Sequence, residues 1–287
     1  MRGIEQLEGK VAVVTGAASG MGRAFADRFA AEDMKVVLAD IEAEPLAQAV
    51  EEIVGRGGEA IGVPTDVSDL AAIEALAERT IAEFGAVHVL CNNAGVETGG
   101  RFEEIPVAAW RWVIDVNLYS VIYGCRTFLP LIREQGEGHI VNTGSVASFA
   151  TEAPTMHPYA ATKFAVLALS ESLEHELFQG GERIGVSILA PGAVRTRMTK
   201  AERNRPADVP STWENPSRAA LLGMIEQITD ERGMDPNDVA EMVVDAIRER
   251  RFFILTHPDE AFAAIDQRRS WMDSGERPPA PGTEAPA

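Results

Sequence analysis

Cysteine is nearly absent from this chain: 2 residues in 287. Cys91 falls in an apolar strand pattern and Cys125 in a helical one. Two such thiols read as reduced, buried small hydrophobes in a cytoplasmic protein, not as nucleophiles. Positive charge is also scarce. The 26 Lys and Arg face 44 Asp and Glu, for a formal net charge of −18, which argues against nucleic acid or an anionic membrane as partner. No apolar run approaches the roughly 20 residues of a membrane span. The opening Met1-Arg-Gly-Ile-Glu-Gln-Leu-Glu lacks a signal peptide's apolar core. The five histidines, His88, His139, His157, His175 and His257, show no metal-ligand spacing, so no metal is expected. There is no repeat, and no linker before about residue 270. One domain over residues 1–273 is therefore expected, followed by a proline-rich tail, 274–287, with the composition of a disordered segment.

What the chain does have is alternation. Short β-branched runs at 10–15, 35–39, 60–63, 87–91, 139–143, 184–189 and 252–255 are separated by helical patterns near 21–31, 42–55, 68–84, 106–134, 158–179 and 236–250. Ser68 and Pro236 fit helix starts. This alternation predicts an α/β fold, a doubly wound parallel seven-stranded sheet with helices on both faces. Residues 195–233, with Met198, Pro206, Pro210, Trp213, Pro216 and Met224, interrupt the pattern before the last strand and read as a substrate lid. Five cations there, Arg195, Arg197, Lys200, Arg203 and Arg205, read as solvated charges, with a substrate carboxylate or a pyrophosphate as the alternative.

The first strand pattern, Val11 to Val14, runs into Gly16-x-x-x-Gly20-x-Gly22 and then a helix. Glycines let a backbone approach a pyrophosphate closely, and the helix N-terminus then aims its N–H groups at the phosphates. Asp40 ends the next strand pattern, where a carboxylate meets the adenosine ribose of a dinucleotide. A second signal is Tyr159-Ala-Ala-Thr-Lys163. Residues at i and i+4 share a helix face, and an ammonium beside a phenol is expected to pull Tyr159 below its usual pKa of about 10. Asn142-Thr-Gly-Ser145 ends the fifth strand, so Ser145 and Tyr159 should meet at the carboxyl edge of the sheet. Asn117, polar within an apolar helical pattern, reads either as a core amide or as a group holding water beside Lys163.

Together these motifs resemble the short-chain dehydrogenase/reductase family, in its compact single-domain branch. The resemblance rests on Thr15-Gly-Ala-Ala-Ser-Gly-Met-Gly22, Asp66-Val67, Asn92-Asn-Ala-Gly95, Asn117, Ser145, Tyr159 with Lys163, and Pro191-Gly-Ala-Val-Arg-Thr196, in family order. It implies that Gly16, Gly20 and Gly22 form the phosphate turn, with Ser19 and Met21 lending backbone groups. Asp40 then binds the ribose, and Asp66 with Val67 the adenine. Asn93, Ala94 and Gly95 line the middle of the cofactor, and Pro191, Gly192, Val194 and Thr196 flank the nicotinamide. Tyr159 is the implied acid/base, Lys163 lowers its pKa and holds a ribose, Ser145 steadies the carbinol oxygen, and Asn117 supports a proton relay. Asp40 repels a 2′-phosphate, and neither Ser19 nor Ile41 is a cation, so NAD is favoured over NADP.

One spacing departs from the family. Ser145 lies 14 positions before Tyr159, one more than is usual, and Ser148 is the rival. The context Gly-Ser-Val-Ala favours Ser145. The expected activity is NAD-dependent interconversion of a hydrophobic secondary alcohol and its ketone, the substrate being aryl, terpenoid or steroid-like. The alternative is a catalytically silent dinucleotide sensor or scaffold. The family resemblance also implies a homo-oligomer, a tetramer or a dimer.

Overall fold

Successive side chains of the central strands enter different cores. In β1 (Val11–Thr15), Val11 and Val13 pack into one apolar cluster while Ala12 and Val14 pack into another. β2 (Lys35–Asp40), β4 (Val89–Asn92), β5 (Gly138–Thr143) and β6 (Ile184–Ala190) divide their side chains in the same way. Strands covered on both faces must be apolar throughout, which is why these runs lack polar alternation. The structure, a computed structural model, describes residues 3–151 and 155–276.

With β3 (Glu59–Pro64) and β7 (Phe253–Leu255), the strands form one parallel sheet in the order β3-β2-β1-β4-β5-β6-β7. The seven-stranded, doubly wound architecture is thus the one the alternation predicts. On one face lie α1 (Gly20–Ala31), α2 (Ala43–Gly55) and α8 (Pro236–Glu249). On the other lie α3 (Leu70–Phe84), α4 (Val107–Ile114), α5 (Ser120–Glu134) and α6 (His157–Gln179). Phe25 and Phe29 of α1 are almost wholly buried, and at about 1.5–3 kcal/mol for each such side chain they hold that helix firmly on the sheet.

The chain leaves β1 toward β2 on one side and re-enters at β4 on the other. The loops after β1 and β4 therefore part in opposite directions and open a crevice at the carboxyl edge.

Several local features differ from expectation. The cap of α3 is Asp69, whose carboxylate accepts from the Ala71 amide at 2.9 Å, while Ser68 turns its hydroxyl to Asp66 at 2.6 Å. The 106–134 pattern is continuous but contains a π-helical turn at Asp115–Tyr119, between α4 and α5. Segment 195–233 holds a 3-10 stretch, Met198–Asn204, and the helix α7 (Pro216–Arg232), capped by Asn215. A last helix, α9 (Pro258–Ser274), carries order up to the start of the expected tail, and residues 277–287 of that tail lie outside the described residues. Among the described residues no helix is long and apolar enough to cross a membrane.

Candidate active site

The crevice is built around Gly16 and α1. Gly16 has φ +67°, and a Cβ there would stand 2.9 Å from Ala94 Cα; a Cβ on Gly22 would stand 2.2 Å from the Gly16 carbonyl. The turn, the first turn of α1 and the 93–95 segment are thus pressed together to a degree only glycine permits. Ser19, at the N-cap, makes no side-chain cap bond, and the first turn of α1 holds no acid. The first amides of that helix therefore border the crevice with no side-chain partner among the described residues. Thr15 joins the neighbouring strand: its hydroxyl accepts from the amides of Asn93 at 2.9 Å and Ala94 at 3.1 Å.

Asp40 ends β2 at the rim, 7% exposed. Its two oxygens accept from the amides of Ala18 at 2.9 Å and Glu42 at 3.0 Å. Each oxygen keeps a lone pair for a further donor. Gly16, Ser19, Gly20, Met21, Asp40, Asp66, Val67, Asn93, Ala94, Gly95 and Thr196 all line this half of the crevice. Gly22 lies beneath it, against Gly16.

The other half is a cavity of about 670 Å3, walled by Ser145, Tyr159, Lys163, Pro191, Gly192 and Val194 and covered by Leu222 and Ile225 of α7. Met21, Asn93, Gly95, Thr196 and Met198 line both halves, so the crevice is continuous. Lys163 Nζ donates to the Thr143 carbonyl at 2.8 Å and stands 5.4 Å from the centre of the Tyr159 ring. The two serines before Tyr159 separate cleanly. Ser148 is wholly buried, accepting from the Ser145 amide at 3.2 Å and donating to the Lys163 carbonyl at 2.8 Å. Ser145 lines the same cavity as Tyr159; its hydroxyl donates to the Pro191 carbonyl at 3.4 Å and accepts from the Ala147 amide at 3.1 Å.

The pKa of Tyr159 departs from expectation. Burial pushes the phenol above its usual value, the Ser145 hydrogen bond opposes this, and the charge of Glu97 adds to it. Lys163 does not reverse the shift, because burial lowers its own pKa to about 8. Near that pH much of the expected positive charge is missing.

Asn117, 1% exposed in the π-helical turn, is held tightly. Its amide donates to the Val96 carbonyl at 2.9 Å and to Thr162 Oγ1 at 3.3 Å, and its Oδ1 accepts from the Val96 amide at 2.8 Å. One Oδ1 lone pair remains. A Cβ on Gly95 would lie 3.6 Å from that oxygen and 3.8 Å from Lys163 Nζ, so the two groups face the same small space.

With this geometry, a profile of the short chain dehydrogenases matches residues 10–207. The chain belongs to the short-chain dehydrogenase/reductase family. A short-chain dehydrogenase/reductase from Burkholderia phymatum, solved in complex with NAD, superposes with a TM-score of 0.93 and 40% identity, covering 98% of this chain and 100% of that one. A "CLA biosynthesis dehydrogenase/reductase" of Lactiplantibacillus plantarum is 31% identical over 260 residues, 89% of this chain and 91% of its own. A "1-deoxy-11-beta-hydroxypentalenate dehydrogenase" of Streptomyces exfoliatus is 33% identical over 285 residues, 97% and 94% of the two chains.

Three features of this short-chain dehydrogenase/reductase escape sequence reasoning. Four of the five cations of 195–205 are held in ion pairs: Arg195 with Asp235, Arg197 and Arg203 with Glu42, and Arg205 with Glu202. His157 packs edge-on against Phe102 at 5.4 Å. Most hidden is Arg218 of α7, fully buried and bonded to Glu97 Oε1 at 2.6 Å and to Glu202 Oε1 at 2.7 Å. Its partner is 121 positions away, and no local pattern could announce that pair. Part of the wall carrying the extra residue, 152–154, lies outside the described residues.

Proposed function

We propose that this oxidoreductase is NAD-dependent and interconverts a hydrophobic secondary alcohol and its ketone. One observation carries the reading: Ser145, Tyr159 and Lys163 converge on a cavity continuous with a crevice that begins at the N-terminus of α1 and ends at Asp40. The residues fit a dinucleotide. The glycine-lined floor leaves room only for a close backbone approach, the open amides of α1 suit a pyrophosphate, and Asp40 suits ribose hydroxyls. The same carboxylate disfavours a 2′-phosphate, and the NAD complex of the Burkholderia phymatum relative supports that choice. Bound NAD would supply the hydride acceptor.

The rest falls to the chain itself. Tyr159 takes the proton of the carbinol and returns it in the reverse direction. Ser145 donates to the carbinol or carbonyl oxygen. Lys163 is fixed by Thr143 with its amine 5.4 Å from the Tyr159 ring, and it would hold a ribose hydroxyl of the bound cofactor. The remaining Oδ1 lone pair of Asn117 holds a water between itself and Lys163, which passes the proton onward. Leu222, Ile225, Ile228 and Met156 supply apolar walls, which support a hydrophobic substrate.

A panel of aryl, terpenoid and steroid secondary alcohols with NAD, read as NADH absorbance, tests this directly. Turnover of at least one class is expected. Absence of NADH from every member, with NAD binding intact, would favour the alternative of a silent dinucleotide sensor or scaffold.

A further inference from the structure

Glu97 lies two residues beyond the Asn92–Gly95 segment and forms part of the cavity wall that holds Ser145 and Tyr159. It is 1% exposed, and its partner Arg218 is fully buried. Only one of its oxygens is engaged: Oε1 receives Arg218 Nη2 at 2.6 Å. Oε2 is buried and has no hydrogen-bond partner among the described residues, and neither has Arg218 Nε.

That arrangement is not what a purely structural ion pair would adopt. A guanidinium and a carboxylate prefer two parallel hydrogen bonds, and a buried acceptor left without a donor is costly. Here the guanidinium is held elsewhere. Its Nη1 donates to Glu202 Oε1 at 2.7 Å and Thr212 Oγ1 at 2.8 Å, and Thr212 in turn bonds Thr98 at 2.7 Å. The network ties the 195–233 segment to the loop after β4 and fixes Glu97, a residue of the reaction-cavity wall, with one buried oxygen spare. The carboxylate also acts on Tyr159, whose phenol feels its charge.

We propose that Glu97 is a specificity-determining residue: its free oxygen accepts a hydrogen bond from a second hydroxyl of the substrate, so that the preferred substrates are hydrophobic diols or hydroxyketones and not simple alcohols. This rests on the dehydrogenase reading above. A hydroxyl is the donor of choice because an ammonium would be repelled by the neighbouring Arg218, and the surrounding Met156, Leu222 and Ile225 suit the carbon frame. A site built to bond a hydroxyl rejects the analogue that lacks it, since its acceptor is then stranded.

The test compares matched pairs in which a methyl replaces the second hydroxyl: phenylethanediol against phenylpropanol, phenylpropanediol against phenylbutanol, and their naphthyl counterparts. Dissociation constants are measured by calorimetry on protein saturated with NADH, where alcohol and cofactor cannot react. In the wild type at least one diol should bind more tightly than its partner by roughly tenfold or more. Glu97→Met removes both oxygens at similar side-chain length and leaves nothing to bond the second hydroxyl, so the preference should shrink to about threefold or less. Equal affinities within every wild-type pair would overturn the proposal, as would a preference that survives in Glu97→Met. Should that variant fail to fold by its thermal transition, the wild-type pairs alone decide. A diol preference without NADH formation from NAD would support the recognition and sink the dehydrogenase reading, so the two failures are distinct.

Discussion

Ser145 and Ser148 stand three positions apart and divide two tasks. Ser148 is wholly buried and joins the Ser145 amide to the Lys163 carbonyl, whereas Ser145 lines the cavity while its hydroxyl caps the 146–148 turn. Ser145→Ala should therefore lower kcat by roughly 10²-fold, as loss of a donor to a developing oxyanion does, at a stability cost of about 1 kcal/mol for the lost cap. Ser148→Ala should destabilise the fold by about 1–3 kcal/mol through its stranded partners. Steady-state kinetics and thermal unfolding on the two variants separate these outcomes. Lys163 carries a pH signature. Its pKa of about 8 in the fold lies below the ordinary 10.5, so between those values the unfolded chain binds more protons and stability rises with pH. Tyr159 and the thiols of Cys91 and Cys125, all pushed upward, act with the opposite sign in the alkaline range. The stability difference between wild type and Lys163→Met, from urea unfolding, isolates the lysine. It should grow in favour of the wild type from pH 8 to 10, and a flat difference would contradict the assignment. Ser145, Tyr159 and Lys163 were legible because their spacing and strand-end context are local. The direction of the Tyr159 shift was not, because burial is a property of the assembled cavity.

At the scale of elements, the residues after β2 and the 197–204 segment meet at the Asp40 end of the crevice. Arg197 and Arg203 reach Glu42 at 3.4 and 3.1 Å, two residues beyond Asp40. Under the proposed function Asp40 is the charge that would decide between ribose hydroxyls and a 2′-phosphate, and two cations stand close behind it. Asp40→Ala should reduce the preference for NAD over NADP by roughly 10²-fold, read as the ratio of kcat/KM values; one removed charge repulsion at short range suffices for that. Elements differed in how plainly the sequence announced them. α1, α8 and the central strands carry an apolar face at helical spacing or doubly buried runs. α7 and α9 each begin at a proline, Asn215-Pro216 and His257-Pro258, and have little helical periodicity; α7 also follows the prolines of the expected lid, although Asn before Pro is a helix start. The π-helical turn at 115–119 leaves the apolar pattern of 106–134 intact, so only the coordinates reveal it.

Over the whole molecule, the doubly wound parallel sheet follows from the alternation of strands and helices, its strand order comes from the structure, and the crevice follows from the reversal between β1 and β4. What the order of residues does not encode is the closure of that crevice. Glu97, Glu202 and Arg218 come from the loop after β4, the 3-10 stretch and α7, and meet only in three dimensions. The strongly acidic chain likewise takes three arginines of its basic run into ion pairs between the covering segment and the body, Arg195 with Asp235 and Arg197 and Arg203 with Glu42. The account stands or falls on a phenol that moves a proton at the inner end of this crevice. The most direct measurement is single-turnover NADH formation by Tyr159→Phe, alongside NADH titration by fluorescence. The account predicts a loss of roughly 10²–10⁴-fold in rate with NADH affinity nearly unchanged; a rate equal to that of the wild type would contradict it.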